Sequence, residues 1–321
     1  MATLCISITV ALSILSFEYQ ESYSEVSALF SWSTTDSTLA LYDGNELVWQ
    51  YNYKTYKGKP HFHPINIAGT TITENVPPDH PWHLGLWHSW KYINGINYWE
   101  YDQTEGAEPW DFTGITEVKN VHIQKRDDFS CIIELDIVYH GKRGPDILSE
   151  KRIIEVSSPA YDGSFFIDYD LTIKALAEKV VLDRTPIQGE PNGEEWGGYA
   201  GLSIRFNQGL SKPHHINSDE SVDLKHGAPM LWKYFGLVNN GGREIGAAIF
   251  DHPTSIAHPG AMYVTTHLGG DSLFYLGTAP LFHSSIFLLE NDEHHYKYRV
   301  VFYNNGATFE MLRKTWENYS R

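Results

Sequence analysis

The chain has 321 residues, 42% hydrophobic and 20% charged, a balance that can bury a full core and excludes a disordered or fibrous class. Its formal net charge of −16, without clustered Lys and Arg, excludes a phosphate backbone as partner. Because cations are scarce, each well-placed Arg becomes a candidate for holding an anionic ligand.

From the N-terminus, residues 4–17 form an uncharged apolar run, too short to span a bilayer and of the right length for the central part of an export signal. The expectation is a signal peptide over 1–25, one β-sandwich domain over 26–321, a periplasmic or secreted location and no membrane span. A first β-strand is the alternative for the apolar run, since no Lys or Arg precedes Lys54. Cys5 lies inside the run and Cys131 stands alone in FSCIIELDIVY, so cleavage leaves no intramolecular disulfide; Cys131 reads as a core residue.

LALYDGNELVWQYNY places two β-rich runs around Asp43-Gly44, a hairpin signal because glycine tolerates the positive φ of a tight turn. Short runs rich in Ile, Val, Phe and Tyr recur (SCIIELDIVYH, SFFIDYDLTIKAL, EIGAAIF, YKYRVVFYN), separated by Gly, Pro, Asn or Asp. The fold class this predicts is all-β, a large antiparallel sandwich. Only GATFEMLRKTWENYS has a helical period, with Phe309, Leu312 and Trp316 on one stripe, predicting a C-terminal helix packed on a sheet. Two stretches, 54–117 and 183–200, break the rhythm and read as long loops dense in Gly, Pro, Trp, His and acids.

Those loops carry the candidate chemistry. Asp-His-Pro occurs at 79–81 and again at 251–253, more than this composition yields by chance, and each copy is followed by a further histidine, His83 and His258. Proline fixes the backbone beside each imidazole, and a neighbouring carboxylate can orient the ring and raise its basicity. Two Asx-type turns with solvent-facing histidines are the plainer alternative. His61 and His63 would share a strand face near His80, His83 and His88, but no carboxylate stands at the spacing of a zinc motif such as H-E-x-x-H. No metal or other cofactor is therefore expected.

Trp82, Trp87, Trp90, Tyr92, Tyr98, Trp99 and Trp110 crowd the same region, and flat rings edged by hydrogen-bonding groups suit the faces of a sugar. Trp87 and Trp90, beside the histidines, are the expected contacts, with core packing the alternative for the cluster. In LDRTPIQGEPNGEEWGGYAGLSIRF, Arg184, Glu190, Glu194, Glu195, Tyr199 and Arg205 surround glycines that let backbone approach a ligand. Arg205, in a strand-like run, could pair a substrate carboxylate bidentately or form an ion pair with a nearby Glu.

Three ordered blocks, PPDHPWHLGLWHSWKYINGINYWE, LDRTPIQGEPNGEEWGGYAGLSIRF and AAIFDHPTSIAHPG, resemble the signature blocks of the PmoA-like domain family, from about residue 40 onward. The resemblance implies an exported protein found beside polysaccharide-degrading enzymes, a sandwich like that of sugar mutarotases, and, for one branch, likeness to dehydratases of ulvan oligosaccharides. Many relatives carry His-His-Arg where this chain has Trp82-His83-Leu84, and often Phe in place of His88. His80, His83, Arg205, Asp251, His252 and His258 are the positions that carry over.

The function expected is elimination of water from a terminal uronic acid of an oligosaccharide. His83 or His252 would act as base, Tyr199 or the other histidine as acid, and Arg205, helped by Arg184, would neutralise the substrate carboxylate. His80, Trp87, Trp90, Arg184, Glu190 and His258 complete the expected substrate site. A sugar mutarotase or epimerase with Glu190 or Glu195 as base, and a non-catalytic carbohydrate-binding protein, are the alternatives.

Overall fold

The computed structural model describes residues 30–55, 58–101, 111–268 and 271–321. The expected signal peptide, Cys5 and Trp110 lie outside them. Among the described residues the strands, in chain order, are β1 (Phe30–Thr34), β2 (Thr38–Asp43), β3 (Glu46–Asn52), β4 (His61–Ile67), β5 (Thr70–Thr71), β6 (Leu86–Ser89), β7 (Tyr92–Ile93), β8 (Ile96–Asn97), β9 (Gly114–Lys125), β10 (Cys131–Gly141), β11 (Leu148–Val156), β12 (Phe165–Ala175), β13 (Lys179–Asp183), β14 (Gly201–Arg205), β15 (Ser211–Asn217), β16 (Trp232–Val238), β17 (Glu244–Asp251), β18 (Met262–Leu268), β19 (Asp271–Thr278), β20 (Ile286–Leu289) and β21 (Glu293–Asn304). One helix follows, α1 (Phe309–Tyr319).

The strands form two large sheets and one small one. The first sheet runs β1-β2-β3-β4-β6-β14-β19-β18, with β5 paired to β4; the second runs β15-β16-β17-β21-β12-β11-β10-β9. A small sheet, β20-β13-β7-β8, stands beside them. Neighbouring strands pair antiparallel throughout both large sheets. The all-β antiparallel sandwich expected from the sequence is therefore the fold, and the Asp43-Gly44 hairpin joins β2 to β3, with Gly44 at φ 58°. The stretch 54–117 is not one loop: β4 through β8 and the start of β9 lie within it.

Alternation explains the layers. In β12, Phe165, Ile167, Tyr169, Leu171, Ile173 and Ala175 point one way into the core, and β10 does the same with Cys131, Ile133, Leu135, Ile137 and Tyr139. The main core lies between the large sheets: Leu86, Ile204 and Leu276 of the first meet Ile167, Ile249 and Val300 of the second. One residue along in each strand the side chain changes face. Trp87 and Tyr275 thus enter a second cluster on the outer side of the first sheet, while Ala248 and Phe250 enter a third on the outer side of the second.

The third cluster is covered by α1. Thr308 caps it by accepting from Met311 N at 3.3 Å, and Leu312 is fully buried, with Phe309 and Trp316 packed against the same cluster. The expected stripe is the one used. Cys131 is a core residue, its thiol pushed up to about 12 by burial. No helix among the described residues is long and apolar enough to cross a membrane.

Gly85 marks where the fold presents its site, at φ 78°, where a Cβ would stand 2.3 Å from the Phe62 carbonyl oxygen. Gly85→Ala is expected to cost more than about 1 kcal/mol, and Gly44→Ala, with nothing within 4 Å of the place its methyl group would take, clearly less. Urea denaturation midpoints of the two variants check the difference.

Candidate active site

The first Asp-His-Pro turn folds tightly: His80 N donates to Pro77 O, His83 N to His80 O, and Val76 N to His83 O, at 3.1, 2.9 and 2.8 Å. This loop projects from the outer face of the first sheet and places His80 and His83 with their rings stacked, centroids 4.7 Å apart and 18° between planes. Behind them, Asp79 Oδ2 accepts from His80 Nδ1 at 2.9 Å and from Arg205 Nη2 at 2.7 Å. Partial burial works to raise the Asp79 carboxyl, but the bonds from His80 and Arg205 outweigh it and hold the group below its ordinary value.

His83 is 5% exposed, and its Nδ1 has no hydrogen-bond partner among the described residues. Burial holds this imidazole well below its ordinary value, and the positive charges of His80, Arg205 and Lys59 push it further. Trp87 at 5.1 Å and Tyr275 at 5.5 Å hold the ring in place.

The facing wall comes from Asn97–Tyr101. Glu100 accepts from Tyr199 Oη at 2.6 Å and from Asn97 Nδ2 at 2.7 Å, and is ion-paired with the buried Lys91. Burial alone would raise Glu100; the Lys91 charge and these hydrogen bonds keep it below the ordinary carboxyl value. Tyr199 is held well above the usual phenol value by burial and by the Glu100 charge. Between the walls lies a cleft of about 360 Å³, with Trp82, Trp99, Trp196, Tyr199, Tyr263 and Tyr275 as its aromatic sides and His80, His83, Glu100 and Thr265 among its polar groups.

The structure brings His80, His83 and Tyr199 together in this cleft, and corrects the placement of the remaining candidates. Trp87 and Trp90 are both fully buried: Trp87 floors His83 in the outer cluster, and Trp90 points into the main core against Tyr296. Neither has surface left for a ligand. Arg205 is also fully buried and sits behind Asp79 rather than lining the cleft; its Nε and Nη1 have no hydrogen-bond partner among the described residues. Arg184 donates to Glu190 Oε1 at 2.7 Å and to Phe282 O at 3.2 Å, while Glu190 accepts from Ile187 N, so this pair closes its own loop.

His252 and His258 do not join the cleft. They follow β17, in the second sheet, with the main core between that sheet and the first. His252 bonds Thr254 Oγ1 at 2.8 Å and packs edge-on against Tyr319 of α1; His258 bonds the buried Asp251 at 2.9 Å, which also takes Gly260 N. The two copies of the tripeptide thus differ: one faces a cleft, the other closes the turn from β17 to β18. His88, in β6, points to the core, where it lies 3.9 Å from Glu150 and 3.5 Å from Arg152.

Several site residues escaped the sequence reading. Glu100 follows Trp99 within the first block, and Trp196 stands among the glycines of the second; either could have been nominated from its neighbours. Tyr263 and Tyr275 carry no such signal, since a strand tyrosine facing a cleft reads like one facing a core. Among the described residues no group of three His, Cys, Asp or Glu is gathered closely enough to hold a metal ion.

Fold and site together define a β-sandwich protein with an aromatic-walled cleft served by a histidine pair. The chain belongs to DUF6807, a family of unknown function, whose model matches residues 38–317. That description carries neither an activity nor the PmoA-like name. No curated protein matches the chain. Among solved structures it is similar to a polysaccharide lyase (12% identity, TM-score 0.36, covering 90% of this chain and 34% of the other). It is also similar to a predicted aldose 1-epimerase from Klebsiella pneumoniae (8%, 0.38, 88% and 84%) and to a copper-containing benzylamine oxidase from Hansenula polymorpha (9%, 0.35, 88% and 62%). The chain spans about a third of the lyase's length. Three different chemistries at such scores leave function to be argued from the cleft.

The buried histidines set a pH dependence. His88 is held at about 4 by burial, against an ordinary 6.5. Between those values the unfolded chain binds a proton that the folded chain refuses, so stability is lost as pH falls through the window, by about 3 kcal/mol at its lower end. His83 acts in the same direction. His88→Phe is expected to reduce the loss between pH 6.5 and about 4, as measured by chemical denaturation at both ends of the window.

Proposed function

We propose that this chain is a carbohydrate-active enzyme, a carbon–oxygen lyase that removes water from a terminal uronic acid of an algal-type oligosaccharide such as ulvan. The observation carrying this reading is His83: an imidazole kept free of its proton at neutral pH, stacked on a carboxylate-held histidine, with only cations among the charges that shift it. A base in such a field takes up a proton most readily when an anionic substrate compensates the new charge. The aromatic sides suit the faces of a sugar ring.

In this mechanism His83 takes the proton from C5, the C5–H electron pair forms the C4=C5 double bond, and the C4–O bond breaks with its electrons going to oxygen. His80, its Nδ1 tied to Asp79, supplies the proton that makes the departing hydroxyl water. Arg205 acts through Asp79 and through its positive field, in place of the direct carboxylate contact expected from the sequence. Tyr199 keeps its proton, donates its hydroxyl hydrogen bond to Glu100 and shapes the facing wall. The presence of Glu100 across from the histidines favours a mutarotase or epimerase as second reading, which speeds anomer or epimer exchange without loss of water.

Incubation with saturated uronate-terminated oligosaccharides is expected to yield a product with a conjugated double bond, seen by ultraviolet absorbance, and one water lighter by mass. Absence of that product across a panel of uronates rejects the lyase. His83→Ala is expected to lower turnover by about 10²–10⁴-fold with little change in oligosaccharide binding, and the rate should fall as pH drops through the depressed His83 value. Trp196→Ala, at a ring 37% exposed, is expected to weaken binding by about 10-fold, read by calorimetry.

A further inference from the structure

Lys59 lies just before β4, fully buried, and its side chain runs beneath the cleft. Its Nζ donates to the backbone carbonyl of Trp82 at 3.0 Å and to that of Trp99 at 2.5 Å. Trp82 belongs to the turn that carries His80 and His83; Trp99 belongs to the turn that carries Glu100. The ammonium stands 5.5 Å from the Trp99 ring centroid, 5.8 Å from that of Phe112 and 6.0 Å from that of Trp87, a site lined by ring faces. The Lys59 carbonyl accepts from His61 Nδ1 at 2.8 Å, which fixes the backbone at the base of the side chain.

We propose that Lys59 is a positioning residue of this cleft: one buried cation that joins the backbone of the His80–His83 turn to that of the Glu100 turn and holds positive charge beside the His83 imidazole. The inference rests on reading His83 as the base. A lysine kept only for packing needs no pair of carbonyl partners from two separate functional turns, and an aliphatic side chain would fill the same volume without the cost of burying charge. Here both acceptors are main-chain atoms of the walls that oppose each other across the cleft, so the span between histidines and Glu100 is set through this one group.

Its charge also reaches the chemistry. Burial, partly offset by Glu100 and reinforced by Lys91, brings Lys59 down to about 7, and Lys59 is among the cations that lower His83, together with His80 and Arg205. The uncharged amine still has two hydrogens for two carbonyls, so the walls stay joined when the charge is lost. The field at His83 does not.

The test is a pair of titrations that need no substrate. In ¹³C and ¹⁵N NMR of the full chain, the Lys59 ε-carbon is expected to titrate near neutral pH, with the His83 ring signals shifting at the same midpoint. Lys59→Met is expected to raise the His83 midpoint by about half to one pH unit, and Lys59→Arg, which keeps the charge, to leave it low. A folded Lys59→Met chain with the His83 midpoint unchanged overturns the proposal. So does a wild-type Lys59 that titrates near its ordinary value of 10.5, or His83 signals that ignore its titration, which keeps the test decisive even if the variants fail to fold. Absence of sugar turnover leaves these titrations untouched, so the two readings fail separately.

Discussion

One carboxylate oxygen holds the site to the fold. Asp79 Oδ2 accepts at once from His80, in the same turn, and from Arg205, at the end of β14 in the first sheet. A guanidinium with no exposed surface is costly to bury unless a partner compensates it, and the nearest other carboxylate, Glu74, stands 3.9 Å away. The same carboxylate oxygen that makes the buried arginine tolerable also orients the first histidine and, through ring stacking, the second. Stability of the central strand and geometry of the cleft are therefore coupled through Asp79.

The layers follow from the period of two. Every central strand has one face toward the main core, so what distinguishes the two sheets is what covers the other face. On the second sheet an amphipathic helix does so with Leu312 and Tyr319, an apolar closure. On the first sheet loops do, and loops bring His80, His83, Trp99, Glu100 and Trp196 with them. The cleft exists because this outer face is closed by turns, which leave space between them, instead of by a helix.

An acidic protein gathers three of its few cations around this cleft, two of them ion-paired with carboxylates, Lys91 with Glu100 and Arg205 with Asp79. Lys59, Lys91 and Arg205 are buried within or behind the walls, each held by carbonyl or carboxylate oxygens. Their charges are shielded from the solvent, so salt screens them less than it would a surface patch, and those of Lys59 and Arg205 act on the His83 imidazole.

By itself the sequence determined the all-β class, the hairpin at Asp43-Gly44, the helix stripe of Phe309, Leu312 and Trp316, and the nomination of His80, His83 and Tyr199. These are local: alternation, a glycine at positive φ, a helical period and a motif can be read without knowing what lies across the core. Tertiary structure alone decided that the second Asp-His-Pro copy belongs to the other sheet, that Trp87 and Trp90 are packing residues, and that Arg184 and Glu190 close on each other. It also decided that Tyr263 and Tyr275 line the cleft with the histidines and that Lys59 bonds the turn that carries them. The physical reason is that strand pairing across long sequence separations sets which loops share a face. Residue type says what a side chain can do, but register and sheet order decide whether it meets solvent, core or another functional group.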